Sequence, residues 1–144
     1  MAQINPYINF NGDCEAAFNH YKSVFGGEFE YIGRFGEMPP SEGQTYSEEE
    51  KNKIMHVSLP ISNGVSLFGS DCPSSYGPVK FGDNISISIN TENPEEAKRI
   101  FDGLSEGGKI TMPLEKTFWA ALFGMCVDKF GINWMVNYDE PRGE

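Results

Sequence analysis

The sequence predicts an α+β fold made of two βαβββ modules, whose strands form a curled, mostly antiparallel sheet with the helices on its outer face. Three observations carry this. Each half of the chain reads as strand, helix and three further strands. The halves also superimpose: an offset of 80 pairs Ala17 with Ala97, Tyr21 with Phe101, Val24 with Leu104 and Gly27 with Gly107. The closing strands match at an offset of 67, Gly64-Val65-Ser66-Leu67-Phe68 on Gly131-Ile132-Asn133-Trp134-Met135, because an acidic segment at 36–53 lengthens only the first half. Finally, 144 residues suit a single domain spanning 1–144, with module one at 1–75 and module two at 80–144.

The elements follow from local chemistry. Ile4 to Phe10 is extended in character, with Pro6 near a strand start or on an edge. Asn11-Gly12-Asp13 turns the chain, and Asp13 is placed to cap a helix whose apolar face is Ala17, Phe18, Tyr21, Val24 and Phe25. Gly26-Gly27 ends it. Residues 28–35 suit a strand, and two more are expected at about 54–61 and 65–70, separated by Ser62-Asn63-Gly64. The segment 36–53, rich in Pro, Gly, Ser and Glu, reads as a solvated loop or flap.

In the second half, residues 84–90 alternate as a half-buried strand should. Asn93-Pro94-Glu95-Glu96 is a strong helix start, with Asn as cap, Pro at the first position and Glu three residues past the cap. Ala97, Ile100, Phe101 and Leu104 form its apolar face, Gly107-Gly108 ends it, and a short strand is expected near 109–112. The chain closes on an aromatic hairpin, Phe118–Val127 and Ile132–Tyr138, joined by Asp128-Lys129-Phe130-Gly131.

Composition removes several function classes. Eleven basic against 21 acidic residues give a net charge of −10, a surface that repels phosphate backbones, so no nucleic-acid partner is expected. No apolar run reaches the length of a membrane span, so no membrane partner is expected either. The start Met-Ala-Gln-Ile-Asn-Pro lacks the basic and apolar regions of a secretory leader. Cys14, Cys72 and Cys126 are odd in number and scattered, which suits free thiols in a reducing cytoplasm.

Strand alternation sorts side chains by face. Met55, Val57 and Leu59, then Val65 and Leu67, Ile85, Ile87 and Ile89, and Ile132, Trp134 and Val136 are expected under the helices. The opposite face then presents His56, Ser58, Ser66, Phe68, Ser70, Ser86, Ser88, Asn133, Met135 and Asn137, a mixed lining suited to a small organic ligand. His56 is the only titratable group there, either a general base or a hydrogen-bonded structural residue. Trp119 and Phe123 share one face of the expected strand, where they could stack on a ligand or pack in a core or dimer interface. Cys14 beside a helix start is expected to be inert, and Asp71 and Asp128 to cap backbone at strand ends.

One family resemblance adds to this. Pro6-Tyr7-Ile8-Asn9-Phe10-Asn11-Gly12-Asp13-Cys14-Glu15-Ala16-Ala17 with Tyr21 and Phe25-Gly26-Gly27, then Met55-His56 with Leu67-Phe68-Gly69-Ser70-Asp71, then Phe118-Trp119 through Asp128-Lys129-Phe130-Gly131 and Trp134, resemble the PhnB-like branch of the vicinal oxygen chelate superfamily. That superfamily contains glyoxalases, bleomycin-resistance proteins and extradiol dioxygenases. The resemblance implies a glyoxalase/bleomycin-resistance-like fold, a U-shaped cavity between modules, and commonly a homodimer. Its enzymes hold a divalent metal with His, Glu or Gln from the first and last strand of each module. Carried onto this sequence those positions fall at Pro6, Phe68, Ser86 and Met135, which offer no carboxylate or imidazole.

The expectation is therefore a cytoplasmic, homodimeric small-molecule-binding protein without a metal or other cofactor. Its cavity would be lined by His56, Phe68, Ser86, Trp119, Phe123, Asn133 and Met135, and the acidic charge suits a cationic ligand. The alternatives are a metal-dependent lyase, isomerase or dioxygenase with a displaced site near His56, and a structural domain whose cavity is filled. The branch also carries a demethylubiquinone methyltransferase label, but no glycine-rich cofactor loop of a methyltransferase is visible.

Overall fold

A computed structural model describes residues 2–37, 46–62 and 64–140. The chain divides into two compact units, Met1–Lys80 and Phe81–Glu144, each with its own sheet. The first contains β1 (Tyr7–Phe10), α1 (Cys14–Phe25), β2 (Tyr31–Arg34), α2 (Glu48–Lys51), β3 (Ile54–Ser62) and β4 (Val65–Asp71). The second contains β5 (Ile87–Thr91), α3 (Pro94–Ser105), β6 (Lys109–Glu115), β7 (Leu122–Val127) and β8 (Asn133–Tyr138). The sheets have matching orders, β1-β4-β3-β2 and β5-β8-β7-β6. In each, the first strand pairs in parallel with the last and the other two pairings are antiparallel. The α+β class and the repeated βαβββ order are thus observed; the short α2 is added within the acidic segment. Among the described residues no helix is long and apolar enough to cross a membrane.

Each helix covers one face of its sheet. Ala17, Phe18, Tyr21 and Val24 of α1 are buried against β3 and β4, with Ile54, Val57, Leu59 and Leu67 fully buried beneath. Ala97, Ile100, Phe101 and Leu104 of α3 cover Cys126, Trp134 and Val136. An aromatic ring seats each helix on a glycine. A Cβ at Gly69 would collide with the Phe18 ring, and one at Gly124 would lie 2.9 Å from Phe101 Cε2. Both glycines pair across the sheet with valine, Gly69 with Val57 and Gly124 with Val136. The offset of 67 maps Gly69 onto Val136 and Val57 onto Gly124, so the units use the same pair with its members exchanged.

Two buried aspartates fasten the strand ends, as expected. Asp71 accepts hydrogen bonds from Gly12 N (2.9 Å), Cys14 N (3.0 Å) and Ile54 N (2.9 Å), tying β4 to the start of α1 and of β3. Asp128 accepts from Phe130 N (2.8 Å), Ile132 N (3.0 Å) and the buried Trp134 Nε1 (2.8 Å), closing the β7–β8 turn. The expectation that Asp13 caps α1 is corrected. Its backbone (φ −110°, ψ 21°) is not the extended conformation that turns a capping side chain back onto the helix, and it makes no cap bond; Asp71 instead holds the Gly12 and Cys14 amides. At α3 the sequence signal holds: Asn93 Oδ1 accepts from Glu96 N at 2.7 Å, with Pro94 opening the helix.

Other expectations shift by a few residues. A bulge on β3 opposite Gly33 and Arg34 inserts Met55, so Ile54 takes the buried place expected for Met55. Residues 28–35 yield only Tyr31–Arg34 as strand. The first arm of the closing hairpin starts at Leu122, because Thr117 ends the preceding segment in a turn: Ala120 N donates to Thr117 Oγ1 at 3.1 Å and Thr117 N to Ala120 O at 3.1 Å. Strand β6 runs to Glu115, past Pro113, as an exposed edge with two breaks in register. Within the expected loop at 36–53, residues 35–37 form a short 3₁₀ turn and Ser47 caps α2. Residues 38–45 and Asn63 lie outside the described residues.

Arg34 of β2 forms a two-pronged pair with Glu15 of α1 and also donates to Asn52 O at 2.8 Å. The guanidinium's hydrogen bonds hold the Glu15 carboxyl below the usual carboxylate range. The seating of α1 gives a direct test. Gly69→Ala should destabilise the fold by about 1–3 kcal/mol through overpacking against Phe18. Urea unfolding should show a lower midpoint at unchanged slope, whereas a wild-type midpoint would mean that the ring moves aside freely.

Candidate functional site

The face of each sheet that its helix leaves bare is where the sequence placed a binding surface. Cross-strand register builds it residue by residue. In the first unit Tyr7 lies beside Phe68, Phe68 beside Ser58, and Ser58 beside Tyr31, giving one row across four strands. His56, two residues from Ser58 on β3, sits among the rings. Its centroid is 5.7 Å from Tyr7, with ring planes 30° apart, 5.4 Å from Phe68 and 5.9 Å from Tyr31. Tyr7 and Phe68 are 6.3 Å apart. The Nδ1 of His56 is 3.5 Å from the Tyr7 hydroxyl.

The cluster is aromatic yet accessible, with Tyr7 48% and Tyr31 49% exposed. Gly33 makes room for Tyr31, since a Cβ there would fall 2.5 Å from its hydroxyl oxygen. Under the rings Ser58 is only 5% exposed, and its Oγ has no hydrogen-bond partner among the described residues. A buried hydroxyl without a partner costs on the order of 1–3 kcal/mol. Beside the row, Ser70 Oγ donates to Asn9 Oδ1 at 3.3 Å.

The second unit repeats the geometry with different chemistry. Its row is Ser88, Met135, Met125 and Met112, and Phe123 occupies the position that the 67 offset assigns to His56. Asn137 Nδ2 donates to Asn90 Oδ1 at 3.1 Å. This surface is malleable and apolar, with thioethers where the first unit has rings.

The expected site residues divide accordingly. His56 and Phe68 come together in the first unit; Met135 and Phe123 share the bare face of the second. Trp119 precedes β7 and is not on the strand, but its ring meets Phe123 edge to face at 5.5 Å. Asn133 is committed to backbone, donating to Gly82 O (2.9 Å) and Ile85 O (3.2 Å). Ser86 precedes β5, and Ser88 is the residue paired with Met135. Tyr7 and Tyr31 belong to the first cluster without having been expected there. Tyr7 follows directly from the parallel register, while the bulge at Met55 hid the alignment of Tyr31.

The resemblance put the metal positions at Pro6, Phe68, Ser86 and Met135, and the strands pair Phe68 with Tyr7 and Met135 with Ser88. None of these six side chains is a carboxylate or an imidazole, the donors that a divalent ion usually takes. Among the described residues no group of three or more His, Cys, Asp or Glu stands close enough to hold one. A cavity of about 410 Å³ lies elsewhere, around Gly12, Glu50, Lys53, Asp71 and Ser74. Its groups are engaged: Lys53 donates to Gly12 O, Ser74 to Glu50, and Asp71 holds backbone amides.

Comparison with known proteins agrees with this architecture. The family described as 3-demethylubiquinone-9 3-methyltransferase matches residues 2–137 of the chain. The chain belongs to that PhnB-like family. Protein YjdN of Escherichia coli K12 is 34% identical over 141 residues, covering 93% of each chain. The solved structure of protein PA1353 from Pseudomonas aeruginosa is 42% identical, with a TM-score of 0.85 over 98% of this chain and all of that one. The PhnB protein of Bacillus cereus is 26% identical, with a TM-score of 0.74 over 95% and 99%. A glyoxylase/bleomycin resistance protein/dioxygenase domain from Frankia, 12% identical, shares the fold with a TM-score of 0.64 over 97% of both chains.

The cysteines of this PhnB-like chain are placed apart from the candidate surface chemistry. Burial, then Asp71, Asp13 and Glu15, pushes the Cys14 thiol far above its usual range. Burial and Asp128 push Cys126 up to about 11. Both stay protonated and shielded at pH 8, while Cys72 is half-buried. Iodoacetamide at pH 8 should therefore label one thiol in the folded protein, Cys72, and all three in urea. Peptide mapping that finds Cys14 labelled in the folded state would contradict the burial.

Proposed function

We propose that this PhnB-like protein binds a small organic molecule with an unsaturated ring on the bare face of its first sheet, without the divalent metal of the superfamily's enzymes. The observation that carries the reading is the four-ring cluster of Tyr7, Tyr31, His56 and Phe68, half open to solvent. Offset stacking and edge contacts with such rings favour planar ligands by about 0.5–1.5 kcal/mol per ring beyond area burial. Metal independence is supported by the donors at the expected ligand positions, and a cationic ligand by the net charge of −10. In this reading the protein is a cytoplasmic homodimer.

Native mass spectrometry of the purified protein tests metal, ligand and oligomer together. A dimer mass without stoichiometric metal is expected, and a bound divalent ion would overturn the metal-free part. Equilibrium dialysis against planar aromatic solutes, half cationic and half neutral, tests the surface. At least one should bind, and about fivefold more weakly to Phe68→Ala. Equal binding to wild type and variant, or none to either, would refute the assignment.

A second reading, a metal-dependent lyase, isomerase or dioxygenase with a displaced site near His56, draws on the 3.5 Å approach of its Nδ1 to the Tyr7 hydroxyl. That pair could pass a proton to or from a bound substrate. His56→Gln separates the two readings: an enzyme loses turnover while it still takes up substrate, whereas a binding protein shows no turnover in wild type or variant and changes only in affinity.

A further inference from the structure

A second surface, on the other unit, has a different chemistry. The turn before β7 holds Phe118 97% exposed and Trp119 52% exposed, the former contributing almost nothing to the core. Their rings meet at 85° with centroids 4.8 Å apart, and Trp119 continues to Phe123 at 67° and 5.5 Å. Two rings set at right angles form a corner whose outer faces are open to solvent. Thr117 braces that corner through three bonds with Ala120, so the rings ride on a closed turn.

The same turn lines a cavity of about 340 Å³ together with the end of β8, which brings Asp139 and Glu140 into the lining. Among the described residues of the lining Lys116 is the single cation, so two carboxylates stand against one ammonium. Aromatic faces and carboxylates have one kind of ligand in common. The negative face of a ring attracts a cation that is too weakly hydrated to prefer water, and the carboxylates add charge without demanding a donor geometry. An inorganic cation would keep its hydration shell here, because no three acidic, His or Cys side chains converge among the described residues.

We propose that the corner of Phe118 and Trp119, closed by Asp139 and Glu140, binds a methylated organic ammonium group. The site lies on the second unit, and its reading does not rest on the ring cluster of the first sheet. Two partly exposed rings and two solvated carboxylates set a dissociation constant on the order of 1 mM for the isolated headgroup. The ammonium can belong to a free metabolite or to a methylated lysine, and the chemistry read is the same.

Two-dimensional NMR of the intact protein, titrated with choline chloride against sodium chloride of equal ionic strength, tests the proposal. Amide shifts confined to residues 117–121 and 139–140 should saturate on the order of 1 mM. The neutral isostere 3,3-dimethylbutan-1-ol should bind at least tenfold more weakly, and Asp139→Asn with Glu140→Gln should weaken choline several-fold. A parallel titration with a peptide carrying trimethyllysine identifies the source, since the arm that binds more tightly names it. Trp119→Leu should abolish saturation while the buried Trp134 keeps its emission, which shows that the variant is folded. Equal binding of the isostere, equal shifts with sodium chloride, or no saturation in either arm would overturn the proposal.

Discussion

The fold depends on an aromatic ring from each helix lying directly over a glycine of its sheet. Phe18 on Gly69 and Phe101 on Gly124 let helix and sheet approach more closely than any side chain would permit. That approach commits one face of each sheet to the core. With Val57, Leu59 and Leu67 turned inward, strand alternation turns His56, Ser58 and Phe68 outward. The aromatic surface is therefore a geometric consequence of how the helix is seated. Asp71 reinforces it by tying β4 to the starts of α1 and β3 through backbone amides.

Much of this was legible in the sequence because duplication and periodicity are local signals. The matching of Ala17 with Ala97 and of Gly64–Phe68 with Gly131–Met135 located both helices and both closing strands. Trp134 and Val136 fall under α3 as alternation required. What could not be read depends on contacts between distant segments. Asp13 has the composition of a cap yet makes no cap bond, and Asp71, 58 residues later, holds the first helical amide. A single bulge at Met55 exchanged Met55 for Ile54 in the core and concealed that Tyr31 stands beside Ser58. Phe118 and Trp119 look like strand residues, and only the Thr117 turn lifts them out.

The two bare faces share a lattice of positions and differ in what fills it. Rings and an imidazole occupy the first; thioethers, one ring and amides occupy the second. Neither places a carboxylate in its central row. What these surfaces offer is polarisability and shape.

The exchanged glycine and valine bear on how a duplicated chain folds correctly. Two similar helices and two similar sheets offer each helix a wrong place to dock. On the second sheet, α1 would bring Phe18 down where Val136 stands in place of Gly69; on the first, α3 would bring Phe101 onto Val57 in place of Gly124. Either mismatch forces a ring into an isopropyl group and forfeits the close approach. Each half thus carries a steric key for its own lock, and the repeat can remain recognisably a repeat without its parts becoming interchangeable.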